Sequence, residues 1–289
     1  MITLAQIQPE QLDRDRPARL KWYHWVGLAL VATCWPLNWM LTGLRTHVLF
    51  FPLWLGYILV VDGLVYRRRG TSLVTRSPRE FALLFALSAP MWWLFELINW
   101  RTQNWEYLGS RLYTDAAHFL LATLSFSTVI PAVLVTTELA RTFRWIERFA
   151  SRSPVAITPQ VSRNVFIVGA AMLTLLLAFP RYCYPFVWTS LVCLIEPINR
   201  WLGRHALLND IQRGDWRTVV SLATGVLICG FFWEMWNYFS YPKWIYHVPF
   251  FGFWRVFEMP LLGYLGYIPF AWELHGIVRF ARPRLALNI

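Results

Sequence analysis

The chain has 289 residues, of which 57% are hydrophobic and only 15% charged, and its net charge is +11. Soluble globular domains are about 45–50% apolar, so this composition excludes an ordinary soluble domain and predicts an all-α polytopic membrane protein. The 27 Lys and Arg residues are dispersed over several short segments instead of forming one basic face, so nucleic acid is not an expected partner.

Eight apolar segments follow a polar leader at residues 1–21. Each segment is long enough to cross the roughly 30 Å hydrocarbon core as a helix. The segments lie at 23–44, 48–66, 81–100, 116–139, 164–180, 185–203, 218–238 and 256–276. No small-residue cleavage site follows the leader, so we expect the first helix to be retained. The pattern predicts eight transmembrane helices.

The distribution of positive charge predicts how these helices are oriented. Cytoplasmic connections of membrane proteins hold an excess of Lys and Arg. The two termini and the even-numbered connections hold 21 of these residues, whereas the other connections hold 6. This asymmetry predicts that both termini are cytoplasmic, and we expect a bacterial plasma membrane. The basic segments 67–80 and 141–150 should contact anionic lipids of the inner leaflet.

The two halves of the chain resemble each other around a pair of polar residues. Glu96 and Asn99 in the third segment occupy the same relative positions as Glu234 and Asn237 in the seventh. A Trp-x-Tyr sequence follows each pair. Because each copy contains four segments, the copies should have the same orientation and be related by an axis along the membrane normal.

A second match sets the extent of the repeat. Trp54 and Asp62 are eight residues apart in the second segment, as are Trp188 and Glu196 in the sixth. We therefore predict two tandem four-helix repeats. The predicted divisions are a leader at 1–21, a first repeat at 22–147, a cytoplasmic linker at 148–163, a second repeat at 164–282 and a tail at 283–289.

Seven of the 16 acidic residues fall within apolar segments. An ionised side chain at the bilayer centre costs about 2.5–3.5 kcal/mol, so each should face protein or water. Four lie in the cytoplasmic half near arginine-rich loops and should form structural ion pairs or anchor helix ends. These four are Asp62, Glu138, Glu196 and Glu273. The catalytic candidates are Glu96, Glu234 and Glu258. They lie toward the outer ends of their segments, where few Lys and Arg residues are available to pair with them.

Amide and aromatic side chains accompany the catalytic candidates. A Glu and an Asn one helical turn apart can hydrogen-bond, and an apolar setting favours a neutral carboxyl that can donate a proton. Aromatic rings would stabilise a cation formed beside it by about 0.5–2 kcal/mol for each ring face. The candidate substrate-binding residues are Asn99, Asn237, Trp93, Trp105, Trp233, Trp244 and Tyr246. Alternatively, the rings form an interfacial belt and the Glu–Asn pairs join helices.

Three short pieces of the second half occur in a recognisable order, namely Trp233-Glu234, Trp244–Tyr246 and Glu258–Pro260, with a weaker copy between Glu96 and Pro131. This duplicated order resembles the paired domains of membrane-type lycopene cyclases. That family cyclises the ends of a linear carotenoid by proton-initiated carbocation chemistry. The resemblance implies an isomerase- or lyase-type cyclase. The family pattern has Pro-x-Glu-Glu where this chain has Glu258-Met259-Pro260.

Three functions are compatible with these features. The first is an intramembrane enzyme that acts on an isoprenoid or similar lipid, with Glu234 or Glu258 as the proton donor. The second is a transporter whose carboxylates relay protons. The third is a non-catalytic scaffold that binds lipid or pigment beside a membrane-protein partner. We expect no cofactor and no metal, because the four cysteines lack Cys-x-x-Cys spacing and no phosphate-binding or zinc-protease motif is present.

Overall fold

The computed structural model describes residues 18–43 and 46–289. Most of the predicted leader, and residues 44 and 45 at the end of the first predicted segment, lie outside the described residues. The described chain is mostly helical, and helix occurs within each of the eight apolar segments.

The first half of the described chain contains six helices, α1 (Trp22–Met40), α2 (Thr46–Arg69), α3 (Leu73–Arg76), α4 (Pro78–Thr102), α5 (Asp115–Phe126) and α6 (Val129–Ala140). A single-turn interruption separates α5 from α6, although Ser127 and Thr128 keep a right-handed helical backbone. Pro131 explains the interruption because it has no N–H to donate to the carbonyl one turn earlier. One 3-10 turn, Ser110–Leu112, precedes α5, and another, Arg144–Phe149, follows α6.

The second half of the described chain contains α7 (Pro159–Ala178), α8 (Pro180–Cys183), α9 (Ser190–Trp201), α10 (Leu207–Gln212), α11 (Arg217–Tyr238) and α12 (Tyr264–Ala281). A 3-10 turn at Tyr184–Val187 precedes α9, and another at Leu261–Gly263 precedes α12. The prediction that the eighth segment is helical from residue 256 is wrong, since α12 begins at Tyr264.

The described part of the chain contains two small antiparallel sheets. They lie in segments that the sequence predicted to be loops or the start of the eighth helix. Strand β1 (Trp105–Leu108) pairs with β2 (Lys243–Tyr246), and β3 (Arg255–Val256) pairs with β4 (Met259–Pro260). Phe257, in the turn of the second pair, has a φ of 58°. Such a left-handed residue reverses the chain and cannot continue a helix, and Pro260 removes another helical N–H.

Five helical stretches of the described residues are long and apolar enough to cross a membrane, namely Val48–Arg69, Pro78–Thr102, Asp115–Ala140, Pro159–Ala178 and Arg217–Tyr238. The chain is therefore an integral membrane protein. Helix α1 is not among these five stretches, and its 19 residues include four Trp together with His24 and Asn38. Helix α9 has only 12 residues, and α12 contains Glu273 and Arg279.

Neighbouring helices approach each other closely at glycine residues, which carry no side chain. A Cβ on Gly225 of α11 would lie 2.6 Å from the Cα of Thr137 in α6. A Cβ on Gly56 of α2 would lie 2.9 Å from the carbonyl oxygen of Gly27 in α1. Both pairs of helices therefore pack backbone to backbone, as small residues permit within membranes.

Three of the four carboxylates that the sequence predicted as ion pairs or helix-end anchors have such contacts. Oδ1 of Asp62 accepts the N–H of Val74 (3.1 Å), at the start of α3. Oε2 of Glu196 accepts the N–H of Leu208 (3.2 Å), at the start of α10. Glu138 forms an ion pair with Arg76.

Glu273 differs from these three carboxylates. Its side chain is 0% exposed, and neither carboxylate oxygen has a hydrogen-bond partner among the described residues. The expectation that Glu273 forms an ion pair or an end anchor is therefore wrong. Its position on α12 turns it into the bundle, away from the arginine-rich loops.

Candidate active site

Glu96 accepts hydrogen bonds from three aromatic side chains. Its Oε1 accepts from Nε1 of Trp92 (2.9 Å), from Nε1 of Trp105 (3.0 Å) and from the hydroxyl of Tyr107 (2.6 Å). Trp92 shares a face of α4 with Glu96 because residues four apart align on a helix. Trp105 and Tyr107 point the same way because alternate residues of a strand share a face. We call these four residues the Glu96 cluster.

Glu234 on α11 has a similar but more enclosed arrangement. The residue is 0% exposed, and its Oε1 accepts from the hydroxyls of Tyr246 (2.7 Å) and Tyr267 (2.6 Å). Nε1 of Trp244 donates to the hydroxyl of Tyr246 (2.9 Å). Oε2 of Glu234 has no hydrogen-bond partner among the described residues. We call these four residues the Glu234 cluster.

The two asparagines fix the strands that carry the rings. Nδ2 of Asn99 donates to the carbonyl of Trp105 (2.8 Å), and its Oδ1 accepts the N–H of Asn104 (2.8 Å). Asn237 does the same for Trp244, with distances of 2.7 Å to its carbonyl and 3.0 Å to its N–H. We had expected each Asn to hydrogen-bond to its neighbouring Glu. The side-chain amides of Asn99 and Asn237 instead hydrogen-bond to backbone groups of the strands. The structure therefore gives these two residues a positioning role and not a substrate contact.

The pairing of β1 with β2 places the two clusters side by side. Trp105 lies opposite Tyr246, Glu106 opposite Ile245, and Tyr107 opposite Trp244. Each Trp therefore faces the Tyr of the other strand. Such reciprocal contacts are what a two-fold axis produces.

Both clusters border one apolar cavity of about 130 Å³. The aromatic residues of the clusters form much of its wall, namely Trp92, Trp105, Tyr107, Trp244, Tyr246 and Tyr267. Trp188, Trp233 and Phe270 also line it. Cavities of roughly 150 Å³ hold a benzene-sized ligand. This cavity can therefore enclose a compact group, with the carboxylates of Glu96 and Glu234 behind its aromatic wall.

Burial and charge keep the strand tyrosines protonated. Burial raises the pKa of the Tyr107 hydroxyl well above its ordinary value, and the carboxylate of Glu96 raises it further. Burial likewise raises the pKa of Tyr246, with an added contribution from Glu234. Both hydroxyls therefore act as hydrogen-bond donors at neutral pH.

Glu258 lies outside this arrangement. It occupies the turn between β3 and β4, where its carboxylate pairs with Nζ of Lys243 and lies 3.9 Å from Nη1 of Arg255. The expectation that few cations lie near Glu258 is therefore wrong, because β2 brings Lys243 to the hairpin. The Glu258 side chain is thus engaged in ion pairs at the hairpin and does not line the cavity.

Trp93 also lies away from the cavity wall. Its Nε1 donates to Oγ1 of Thr123 (3.0 Å), and its ring stacks on Phe119 with centroids 5.0 Å apart. Consecutive helical residues point about 100° apart. Trp92 therefore reaches the cavity while Trp93 packs against α5.

Four of the predicted substrate-binding residues line the cavity, namely Trp105, Trp233, Trp244 and Tyr246. Three other cluster residues that line the cavity were not predicted as substrate-binding. Trp92 could have been found from its four-residue spacing to Glu96, and Tyr107 from its match to Tyr246 in the repeat. Tyr267 carries no comparable signal, because α12 meets Glu234 only through tertiary packing.

Among the described residues, no group of three or more His, Cys, Asp or Glu side chains could hold a metal ion. Comparison with family models, curated proteins and solved structures finds no match to this chain.

Proposed function

We propose that the chain is an intramembrane enzyme that acts on an isoprenoid or similar lipid by acid chemistry, with Glu234 as the acid. One observation carries this proposal. A fully buried carboxyl contacts two tyrosine hydroxyls, those of Tyr246 and Tyr267, and both tyrosines line an aromatic cavity. A proton source beside rings that can stabilise a cation suits carbocation chemistry.

The proposed reaction begins with the neutral carboxyl of Glu234. Its proton passes to the hydroxyl oxygen of Tyr246 or Tyr267 as that hydroxyl gives its own proton to a terminal double bond of the substrate. A C–H bond forms and a carbocation results. An internal double bond attacks the cation and closes a ring. The ring then loses a proton, which returns through tyrosine to Glu234, so the reaction is an isomerisation.

The cavity volume limits the part of the substrate that reacts. A space of about 130 Å³ is too small for a whole long-chain lipid and suits one end of it. We propose that the reacting end enters the cavity while the remaining chain stays outside. A carotenoid-like chain such as lycopene has the required double bonds at its ends.

The proposed architecture has eight transmembrane helices in two repeats, with both termini cytoplasmic in a bacterial plasma membrane. Two further reciprocal contacts support the repeat. The ring of Trp54 lies 5.2 Å from that of Trp233, and the ring of Trp188 lies 5.5 Å from that of Phe95. Trp54 corresponds to Trp188 in the repeat, and Phe95 corresponds to Trp233.

Helix contacts repeat in the same way. A Cβ on Gly27 of α1 would lie 3.0 Å from the carbonyl oxygen of Gly56, and one on Gly169 of α7 would lie 2.9 Å from that of Ser190. The first helix of each half therefore crosses the second at a small residue. We propose that α1, α9 with the turns before it, and α12 complete the eight spans.

The test compares Glu234→Gln with the unchanged protein in a host that accumulates lycopene. The variant keeps the shape of the side chain but loses the acid proton, so we expect cyclised pigment from the unchanged protein and a loss of at least about 100-fold in the variant. Glu106→Gln is the matched control, because Glu106 lies on β1 with its side chain 55% exposed, and it should retain activity.

Two outcomes would contradict the proposal. Cyclised pigment from Glu234→Gln at the unchanged rate would remove Glu234 as the acid. Unchanged lycopene with both proteins, followed by recovery of other bound lipid or pigment from the purified chain, would favour the scaffold.

A further inference from the structure

We infer that the cavity is selective for a positively charged, methyl-rich group, of which a trimethylammonium is the stable representative. This inference rests on the proposed function in that it concerns the same cavity. It extends that function because it names a class of ligand that the site should bind without any reaction.

The polar atoms of several lining rings are hydrogen-bonded to the two glutamates. Nε1 of Trp92, Nε1 of Trp105 and the hydroxyl of Tyr107 donate to Glu96. The hydroxyls of Tyr246 and Tyr267 donate to Glu234. These donors are therefore engaged by protein, and a ligand meets mainly the carbon surfaces of the rings.

The carboxylate of Glu96, and that of Glu234 once it has given up its proton, add negative potential behind those rings. A tyrosine that donates to a carboxylate is polarised by it, which makes its ring more electron-rich. The face of such a ring attracts a cation, and several rings around one small cavity act together. Glu96 and Glu234 therefore strengthen an attraction that neutral methyl groups would not experience.

The one ammonium at the cavity wall is held by other groups. Nζ of Lys243 pairs with Glu258, lies 3.3 Å from the carbonyl oxygen of Tyr238 and 5.6 Å from the centroid of its ring. Neither Glu258 nor Tyr238 lines the cavity. The remaining polar lining residues are His118 and Ser125, and the serine hydroxyl donates to the carbonyl of Leu121 (2.9 Å).

The cavity volume also fits such a group. At about 130 Å³ it is close to the roughly 150 Å³ that encloses benzene, a molecule with six heavy atoms. A trimethylammonium has four heavy atoms and would leave room for a short chain. Because it is compact and fully methylated, it needs no hydrogen-bond acceptor from the wall.

The experiment compares choline with 3,3-dimethylbutanol, its uncharged isostere, as ligands of the purified protein in an uncharged detergent. Equilibrium dialysis should show choline binding about tenfold or more tightly, since the shape is the same and only the charge differs. Glu96→Gln and Glu234→Gln should each weaken choline binding by about threefold to tenfold without changing the isostere. Glu106→Gln should change neither.

Equal affinity for the two ligands, or no binding of either, would overturn the inference. Thermal unfolding of each variant shows whether lost binding reflects lost folding, and Tyr267→Phe adds a variant that keeps the ring while releasing one hydrogen bond to Glu234. Choline selectivity without cyclised lycopene would contradict the proposed reaction and support the cation site. Cyclised lycopene without choline selectivity would support the proposed reaction and contradict the cation site.

Discussion

At the scale of single residues, the two glutamates show how similar sequences acquire different surroundings. Glu96 receives two indole N–H groups and one hydroxyl, whereas Glu234 receives two hydroxyls and leaves one oxygen without a partner among the described residues. Nε1 of Trp105 donates directly to Glu96, and that of Trp244 donates to the hydroxyl of Tyr246, which in turn donates to Glu234. Glu234 therefore receives fewer direct hydrogen bonds than Glu96 and is fully buried, and these two differences distinguish the proposed acid from its counterpart.

Asn99 and Asn237 allow a prediction at the same scale. Replacing either with Ala leaves a backbone N–H and a carbonyl at the strand without their partner, so we expect each variant to lose about 1–3 kcal/mol of stability. Thermal unfolding in detergent measures the loss. Asn164→Ala is the control, because Asn164 is exposed on α7 and its replacement should change stability by less than about 0.5 kcal/mol. A negligible effect at Asn237 would contradict its positioning role.

At the scale of elements, the β1–β2 pair is the feature that joins the halves around the cavity. Isolated two-stranded pairs are marginal in water. Here the Asn99 and Asn237 amides hold the first aromatic residue of each strand, and His247, just after β2, pairs with Glu106 of β1. The strands thus form where helices end and side chains supply additional hydrogen bonds.

The register of these strands can be tested with an engineered disulfide. Residues directly opposite in antiparallel strands have Cα atoms about 4.5–5.5 Å apart, within the range a disulfide spans. Glu106→Cys with Ile245→Cys, in a chain whose natural cysteines are replaced by Ser, should therefore cross-link on mild oxidation. A protease site added at the exposed residues 151–156 separates the halves before a non-reducing gel.

One band without reductant and two bands with it are the expected result of that experiment. Each single cysteine variant serves as a control and should give two bands under both conditions. Two bands from the double variant after oxidation would show that β1 and β2 do not pair in this register.

At the scale of the whole molecule, five stretches of the described chain qualify as spans by length and composition, and three further helices complete the proposed eight. The asymmetry of 21 against 6 positive residues predicts the orientation. Both strand pairs and the cavity lie on the side of the connections that hold few positive charges. If both termini are cytoplasmic as proposed, the site lies toward the outer leaflet.

Reporter fusions test this orientation. Fusions within 103–114 and within 247–254 should be active only outside the cytoplasm, whereas fusions within 70–77 and 151–156 should be active only inside. A cytoplasmic signal from either of the first two positions would overturn the topology, because each helix added or removed reverses every later connection.

Much of the site could be predicted because it depends on local spacing and on repetition. The pairing of Glu96 with Trp105, and of Glu234 with Tyr246, follows from short separations along the chain. The expectation for Glu258 is wrong because the surroundings of this residue depend on tertiary contacts and not on local spacing. Its partner Lys243 is 15 residues away, and only the folding of β2 against the hairpin brings the charges together.

The sequence by itself determined the membrane environment, the approximate positions of the helical segments and the two glutamates around which the clusters form, since these depend on composition and on spacing within one element. Only the tertiary structure decided that the clusters share one cavity and that Tyr267 completes the second. It also decided that Trp92 and not Trp93 faces the cavity. Strand register and helix rotation decide these points, because they depend on contacts between residues far apart in the chain.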